Sequence, residues 1–262
     1  MAIRTTAIIN MKGGTAKTTT AINMAAILAK HYGKKVLLAD ADSQCNTTEF
    51  FGCFGSYYNM ATILRHGGTL EAPAGAGLMA IQNTDFPNVD LIPGDESLMD
   101  MDLSSISQGL VDRNVLRHLM EDVKDVYDHA IIDCPPAFNA ASAAALVAAD
   151  DVIIPIKLDA FSLRGMANLI RQVQNMRQIN PRLKVAGILP TMWYKDAQII
   201  EAEQQLKAAG LPMFHHIRRS DKVDRMTFRQ EALLVSSPNS AAGVDYRMFV
   251  AEYLGGGDHG KE

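Results

Sequence analysis

Residues Asn10–Thr20 read N-M-K-G-G-T-A-K-T-T-T, a glycine-bearing turn that holds two lysines, Lys12 and Lys17. The apolar run A-I-I-N at 7–10 precedes the turn, and a stretch with helical spacing from Lys17 to Tyr32 follows it. A strand-turn-helix junction of this kind converges backbone N–H groups and a helix N-terminus on a phosphate chain. Gly13, Gly14, Thr15, Ala16, Lys17, Thr18 and Thr19 then form a nucleotide cradle. Within it Lys17 reaches the β- and γ-phosphates and the Thr18 hydroxyl holds Mg²⁺. Against the pattern G-x-x-x-x-G-K-[ST], Met11 and Ala16 occupy the glycine positions. If the backbone at Ala16 needs a positive φ, alanine costs about 1 kcal/mol there; if it does not, the change is nearly silent.

Working outward from the turn, short β-branched or apolar runs recur at 35–40, 89–93, 129–133, 151–156 and 184–190. Such continuous runs suit strands covered on both faces. Between them lie helix candidates, including Asp112 to Tyr127, Ser162 to Ile179 and Asp196 to Ala209. The alternation predicts an α/β fold with a doubly wound, mainly parallel sheet flanked by helices. The chain of 262 residues is expected to form one domain over 1–254. Gly67 to Gly77 reads as a surface loop, and 255–262 as a disordered tail.

The second run ends in L-L-A-D-A-D-S-Q, which places Asp40 and Asp42 at the C-terminal edge of the sheet, where ligands of open α/β sheets sit. A solvated acidic turn is the alternative for this pair. The run at 129–133 ends in Asp133, a carboxylate able to bind Mg²⁺ through water. Cys134-Pro135-Pro136 follows, with the thiol read as packed and the prolines restricting the loop.

Composition narrows the class. With 48% hydrophobic and 21% charged residues and no long uninterrupted apolar run, the chain reads as a globular protein without a transmembrane helix. Its N-terminus lacks a secretory pattern, so a cytoplasmic location is expected. Cys45, Cys53 and Cys134 show no C-x-x-C spacing, and the histidines no trustworthy metal-ligand spacing. A net charge of −4 gives no global attraction to nucleic acid, so any DNA contact must come from a local patch.

K-G-G-x-x-K-[ST], headed by Lys12, is the deviant Walker A pattern, and here the sequence resembles the ParA/MinD superfamily of P-loop ATPases. The resemblance implies that Lys12 reaches across a dimer interface to the nucleotide of the other subunit, so that homodimerisation depends on ATP. D-A-D-S-Q is similar to the family's switch I, with Asp42 orienting the attacking water and Asp40 nearer the Mg²⁺ shell; D-C-P-P is similar to its switch II. Lys12, Lys17 and Asp42 are thus the catalytic candidates, and Thr18, Asp40 and Asp133 the metal candidates. The likeness continues through A-A-L-V-A-A-D-D-V-I-I-P-I and N-P-R-L-K-V-A-G-I-L-P-T-M to about residue 254, in the manner of the chromosomal Soj branch. It begins near residue 3, which implies no N-terminal helix-turn-helix extension.

Thr191 is the candidate adenine neighbour. H-H-I-R-R-S-D-K-V-D-R-M-T-F-R, from His215, resembles the family's I-P-R-x-x-R segment, with Arg218, Arg219, Lys222 and Arg225 as candidates for sequence-independent DNA binding. A solvated helix face laced with charge pairs is the competing account. The family implies ATP and Mg²⁺ as cofactors, a ParB-like stimulating partner and a nucleoid-associated ATPase of DNA segregation. Two other functions share the fold. A MinD-like positioning ATPase needs a basic amphipathic C-terminal helix, which the acidic, glycine-rich end does not supply. An iron-protein-like electron-transfer ATPase needs two well-placed cysteines per subunit.

Overall fold

The computed structural model describes residues 3–66 and 76–255. The tail expected to be disordered therefore lies outside the described residues from 256 on, as does 67–75 of the predicted surface loop. Seven strands form one sheet: β1 (Arg4–Ile8), β2 (Val36–Asp40), β3 (Gln82–Asn83), β4 (Val89–Ile92), β5 (His129–Asp133), β6 (Asp151–Lys157) and β7 (Lys184–Thr191), in the order β3-β4-β2-β5-β1-β6-β7. Among the described strands only β3 runs antiparallel. The helices are α1 (Lys17–Tyr32), α2 (Asn46–Phe50), α3 (Met60–His66), α4 (Ala76–Met79), α5 (Leu103–Ser107), α6 (Val115–Asp122), α7 (Ala140–Ala148), α8 (Ala160–Met176), α9 (Ala197–Ala208), α10 (Asp221–Arg229), α11 (Leu233–Ser236) and α12 (Ala241–Tyr253).

Both faces of the central strands β1, β2, β5 and β6 are covered by apolar neighbours. Ile8, Leu38, Ile131 and Ile153 pack with α1 and α12, whereas Ala7, Leu37, Ile132 and Val152 pack with α3, α6, α7 and α8. This is why the sequence shows continuous runs instead of alternation. Fully burying one such aliphatic side chain stabilises the fold by roughly 1.5–3 kcal/mol.

Two boundaries and one helix differ from the sequence reading. β1 starts at Arg4, in line with an onset near residue 3, but ends at Ile8, short of the run to Asn10; its polar side chains are accommodated inside, with Thr5 and Thr6 buried and the Thr6 hydroxyl meeting that of Tyr253 at 2.6 Å. Helix α6 is shorter than 112–127 and ends at Asp122. Helix α7, A-A-S-A-A-A-L-V-A, is buried all round and so has no amphipathic face to betray it.

Candidate functional site

The turn between β1 and α1 is built before any ligand is considered. Helix α1 begins at Lys17 with no side-chain cap, which leaves its first amides pointing out of the helix end. Gly14 and Ala16 both lie in the left-handed region, at φ 68° and 65°. The positive-φ case therefore holds for Ala16, at a cost of about 1 kcal/mol relative to glycine. Neighbours hold the loop in this shape: Asn10 donates through Nδ2 to the Pro155 carbonyl at 2.7 Å, the Lys12 amide donates to Asn10 Oδ1 at 3.0 Å, and the Thr191 hydroxyl donates to the Thr15 carbonyl at 3.1 Å. Thr191 thus buttresses the loop. Lys17 is buried and its Nζ donates to the Lys12 carbonyl at 3.3 Å. Burial lowers its pKa, opposed by the charges of Asp133 and Asp42.

Beside the loop, β2 and β5 pair in register so that Asp40 sits opposite Asp133, both fully buried. Burial pushes both carboxyls above the usual range; hydrogen bonds from Thr48 partly offset this for Asp40, and the nearby Thr18 hydroxyl and the hydrogen bond from Thr47 do so for Asp133. Asp133 Oδ2 accepts from the Thr47 hydroxyl at 2.8 Å, while Oδ1 is a buried acceptor with no hydrogen-bond partner. An orphaned carboxylate oxygen beside a second carboxylate and a hydroxyl is a hard oxygen donor set that fits Mg²⁺. Asp42, also buried, accepts the Gln44 amide at Oδ1 at 3.0 Å, and its own amide donates to Asp40 Oδ1 at 3.2 Å.

Lys12 is on the rim. Its Nζ lies 2.9 and 2.8 Å from the two oxygens of Asp159 and 3.0 Å from the Ser162 hydroxyl, at the start of α8. Burial pushes the Asp159 carboxyl up, but the hydrogen bonds from Lys12 and Ser162 outweigh it and hold the group at about 2.

A cavity of about 790 Å³ runs along the C-terminal edge of the sheet from Gly13–Thr19 and Asp42, past Lys157 and Thr191, to Arg218 and Arg219. The predicted loop, the switch I aspartate, Thr191 and part of the basic segment are thereby brought to one place. Lys222 and Arg225 are not in its lining; both pair with Asp221 on α10, at 3.6 and 3.2 Å. Arg218 is held differently, by bidentate contacts of 2.8 and 2.7 Å to Asp245, a fully buried residue of α12. Sequence reasoning does not reach Lys157, Asp159, Thr47 or Thr48. Lys157 and Asp159 follow the β6 run closely enough that proximity to the sheet edge was their available signal.

A parallel sheet with a phosphate loop after β1 and aspartates ending β2 and β5 defines the P-loop nucleoside triphosphatase class. Residues 3–185 match the AAA domain family AAA_31. The chromosome partitioning protein ParA of Caulobacter vibrioides is 36% identical over 73% of this chain and 70% of the relative. The sporulation initiation inhibitor protein Soj of Bacillus subtilis is 30% identical over 89% and 87%. The chain belongs to the AAA_31 family and, within it, to the ParA/Soj group of P-loop partition ATPases. The fold also matches that of Cyanothece McdA in its ATP complex, with a TM-score of 0.82 at 23% identity, covering 97% of both chains.

Proposed function

We propose that this protein hydrolyses ATP to drive DNA segregation, closing an ATP-sandwich homodimer that binds DNA non-specifically and is released when a ParB-like partner stimulates hydrolysis. The observation that carries this reading is the paired-lysine loop set against three buried aspartates at one sheet edge. Residues 1–254 act as one ATPase unit in this account, in the cytoplasm and on the nucleoid.

The loop amides and the N-terminus of α1 take the phosphates, and Lys17 neutralises the β- and γ-oxygens. Water attacks the γ-phosphorus, the bond to the bridging oxygen breaks, and ADP and phosphate leave. Asp42 orients that water: its Oδ1 is occupied by the Gln44 amide, which leaves Oδ2 as the acceptor. Lys12 of the opposite subunit adds positive charge to the transition state, as an arginine finger does. Bound Mg²⁺ supplies further charge neutralisation on the phosphates, and Thr18, Asp40 and Asp133 are the residues that would hold it.

For DNA, Arg219 has no ion pair among the described residues, which supports a phosphate contact, and Lys222 and Arg225 extend the basic surface along α10. Among the described residues no helix is long and apolar enough to cross a membrane, and no group of three or more His, Cys, Asp or Glu is arranged to hold a metal.

Size analysis with ADP and with ATP tests the proposal. Asp42→Ala is expected to lose hydrolysis and accumulate as an ATP dimer, and Lys12→Gln to stay monomeric. A dimer that forms equally well in Lys12→Gln overturns the role given to that lysine.

A further inference from the structure

Helix α2 is a single turn directly after switch I, yet its side chains reach the ends of two strands. Consecutive residues on a helix point about 100° apart. Thr47 uses that divergence to donate to Asp133 Oδ2 on β5 at 2.8 Å, and Thr48 donates to Asp40 Oδ2 on β2 through both its hydroxyl, at 2.7 Å, and its amide, at 2.9 Å. Neither threonine is solvent-facing, with exposures of 0% and 3%. The Thr48 hydroxyl in turn accepts the Gly94 amide at 2.7 Å, which completes a chain from the loop after β4 through Thr48 to Asp40. Position 94 is fitted to this chain: a Cβ there would lie 3.0 Å from Asp40 Cγ and 3.2 Å from its carbonyl oxygen.

From this geometry we infer that Thr47 and Thr48 are positioning residues, which fix the rotation of the Asp133 and Asp40 carboxylates and tie the placement of switch I to their readiness for a divalent cation. The inference rests on the reading of those two aspartates as Mg²⁺-shell residues. Thr47 occupies one oxygen of Asp133 and so aims the other, the buried Oδ1 without a partner, at the site. Thr48 satisfies one oxygen of Asp40, and the Asp42 amide takes the other at 3.2 Å, so the Asp40 carboxylate is held from both sides by α2 and switch I. Groups that orient ligand carboxylates in this way typically change metal affinity by 10–100-fold when removed.

The experiment titrates Mg²⁺ into the full-length protein with a fluorescent ADP analogue, and measures analogue binding in EDTA and the melting temperature in parallel. Thr47→Val keeps the shape and removes the donor; Thr47→Ser keeps the donor. Thr47→Val is expected to weaken apparent Mg²⁺ affinity about tenfold, with binding in EDTA within about twofold of wild type, and Thr47→Ser to restore the wild-type value. Gly94→Ala, which crowds Asp40 while leaving both threonine hydroxyls in the chain, is expected to weaken Mg²⁺ affinity in the same direction. The proposal is overturned if Thr47→Val leaves the Mg²⁺ titration unchanged, if Val and Ser behave alike, or if binding in EDTA falls in step with Mg²⁺ affinity. Asp133→Asn separates this from its foundation. If that variant keeps the wild-type Mg²⁺ dependence, the metal reading itself fails and the positioning role goes with it.

Discussion

Strand β1 begins at Arg4 and β6 at Asp151, and at that end of the sheet the two side chains form an ion pair, with Lys184 of β7 at 3.5 Å from the same carboxylate. The Arg4 guanidinium also stacks 4.1 Å above the Tyr253 ring, whose hydroxyl meets Thr6. At the opposite end of the same layer, β5 and β2 finish in Asp133 and Asp40, two buried carboxylates side by side and held above the normal carboxylate range by burial. A buried charge costs several kcal/mol unless it is compensated. One end therefore shows the compensated arrangement that stability favours, and the other keeps the tension that ligand binding can use.

The comparison can be broken most directly at Lys17. Lys17→Ala is expected to weaken ADP and ATP binding by roughly 100-fold in calorimetry, since a charge-assisted contact contributes up to about 3 kcal/mol, while melting temperature changes little. Arg4→Met should do the reverse. Stranding Asp151 beside the exposed Lys184 is expected to destabilise the fold by about 2 kcal/mol in urea titration, with nucleotide affinity preserved.

Acidification sharpens the contrast because the two ends have opposite signs. His129, at the β5 start, is buried and lowered to about 4, first by desolvation and then by Arg4. Its folded value lies below the unfolded one, so its contribution is present above about pH 6.5 and is lost as pH falls towards 4. Wild type should lose stability relative to His129→Gln over that interval. Asp133 has a raised folded value, so its contribution is present at low pH and is lost as pH rises through that value. Wild type should therefore gain on Asp133→Asn as the solution is acidified. The smallest expected effect is at Ala16, where Ala16→Gly relieves the φ of 65° and should stabilise by about 1 kcal/mol in the same denaturant assay.

Much of this was legible from the residues. Continuous apolar runs gave the core strands because both faces of the sheet are covered, and Lys17 to Tyr32 matched α1 residue for residue. The position of Asp40 and Asp133 at the sheet edge was legible because they terminate such runs. What stayed hidden has two causes. Helix α7 has no polar face, and β3 is two residues long, so neither carries a period to detect. Arg218 looked like its neighbours in a basic string; only the fold shows that Asp245, 27 positions further on, holds it. Likewise nothing in T-T-E-F announced that one threonine would meet Asp133 and the next Asp40, since that depends on strand order and not on spacing.

The ammonium of Lys12 is already satisfied within its own chain by Asp159 and Ser162. It is therefore an exchangeable cation, and any other anion must outcompete a carboxylate before it can have it. A triphosphate, with several oxygens and more negative charge, is a stronger competitor than a diphosphate. Under the proposed function the rim of this site would act as a threshold, indifferent to weak anions and responsive to the degree of phosphorylation.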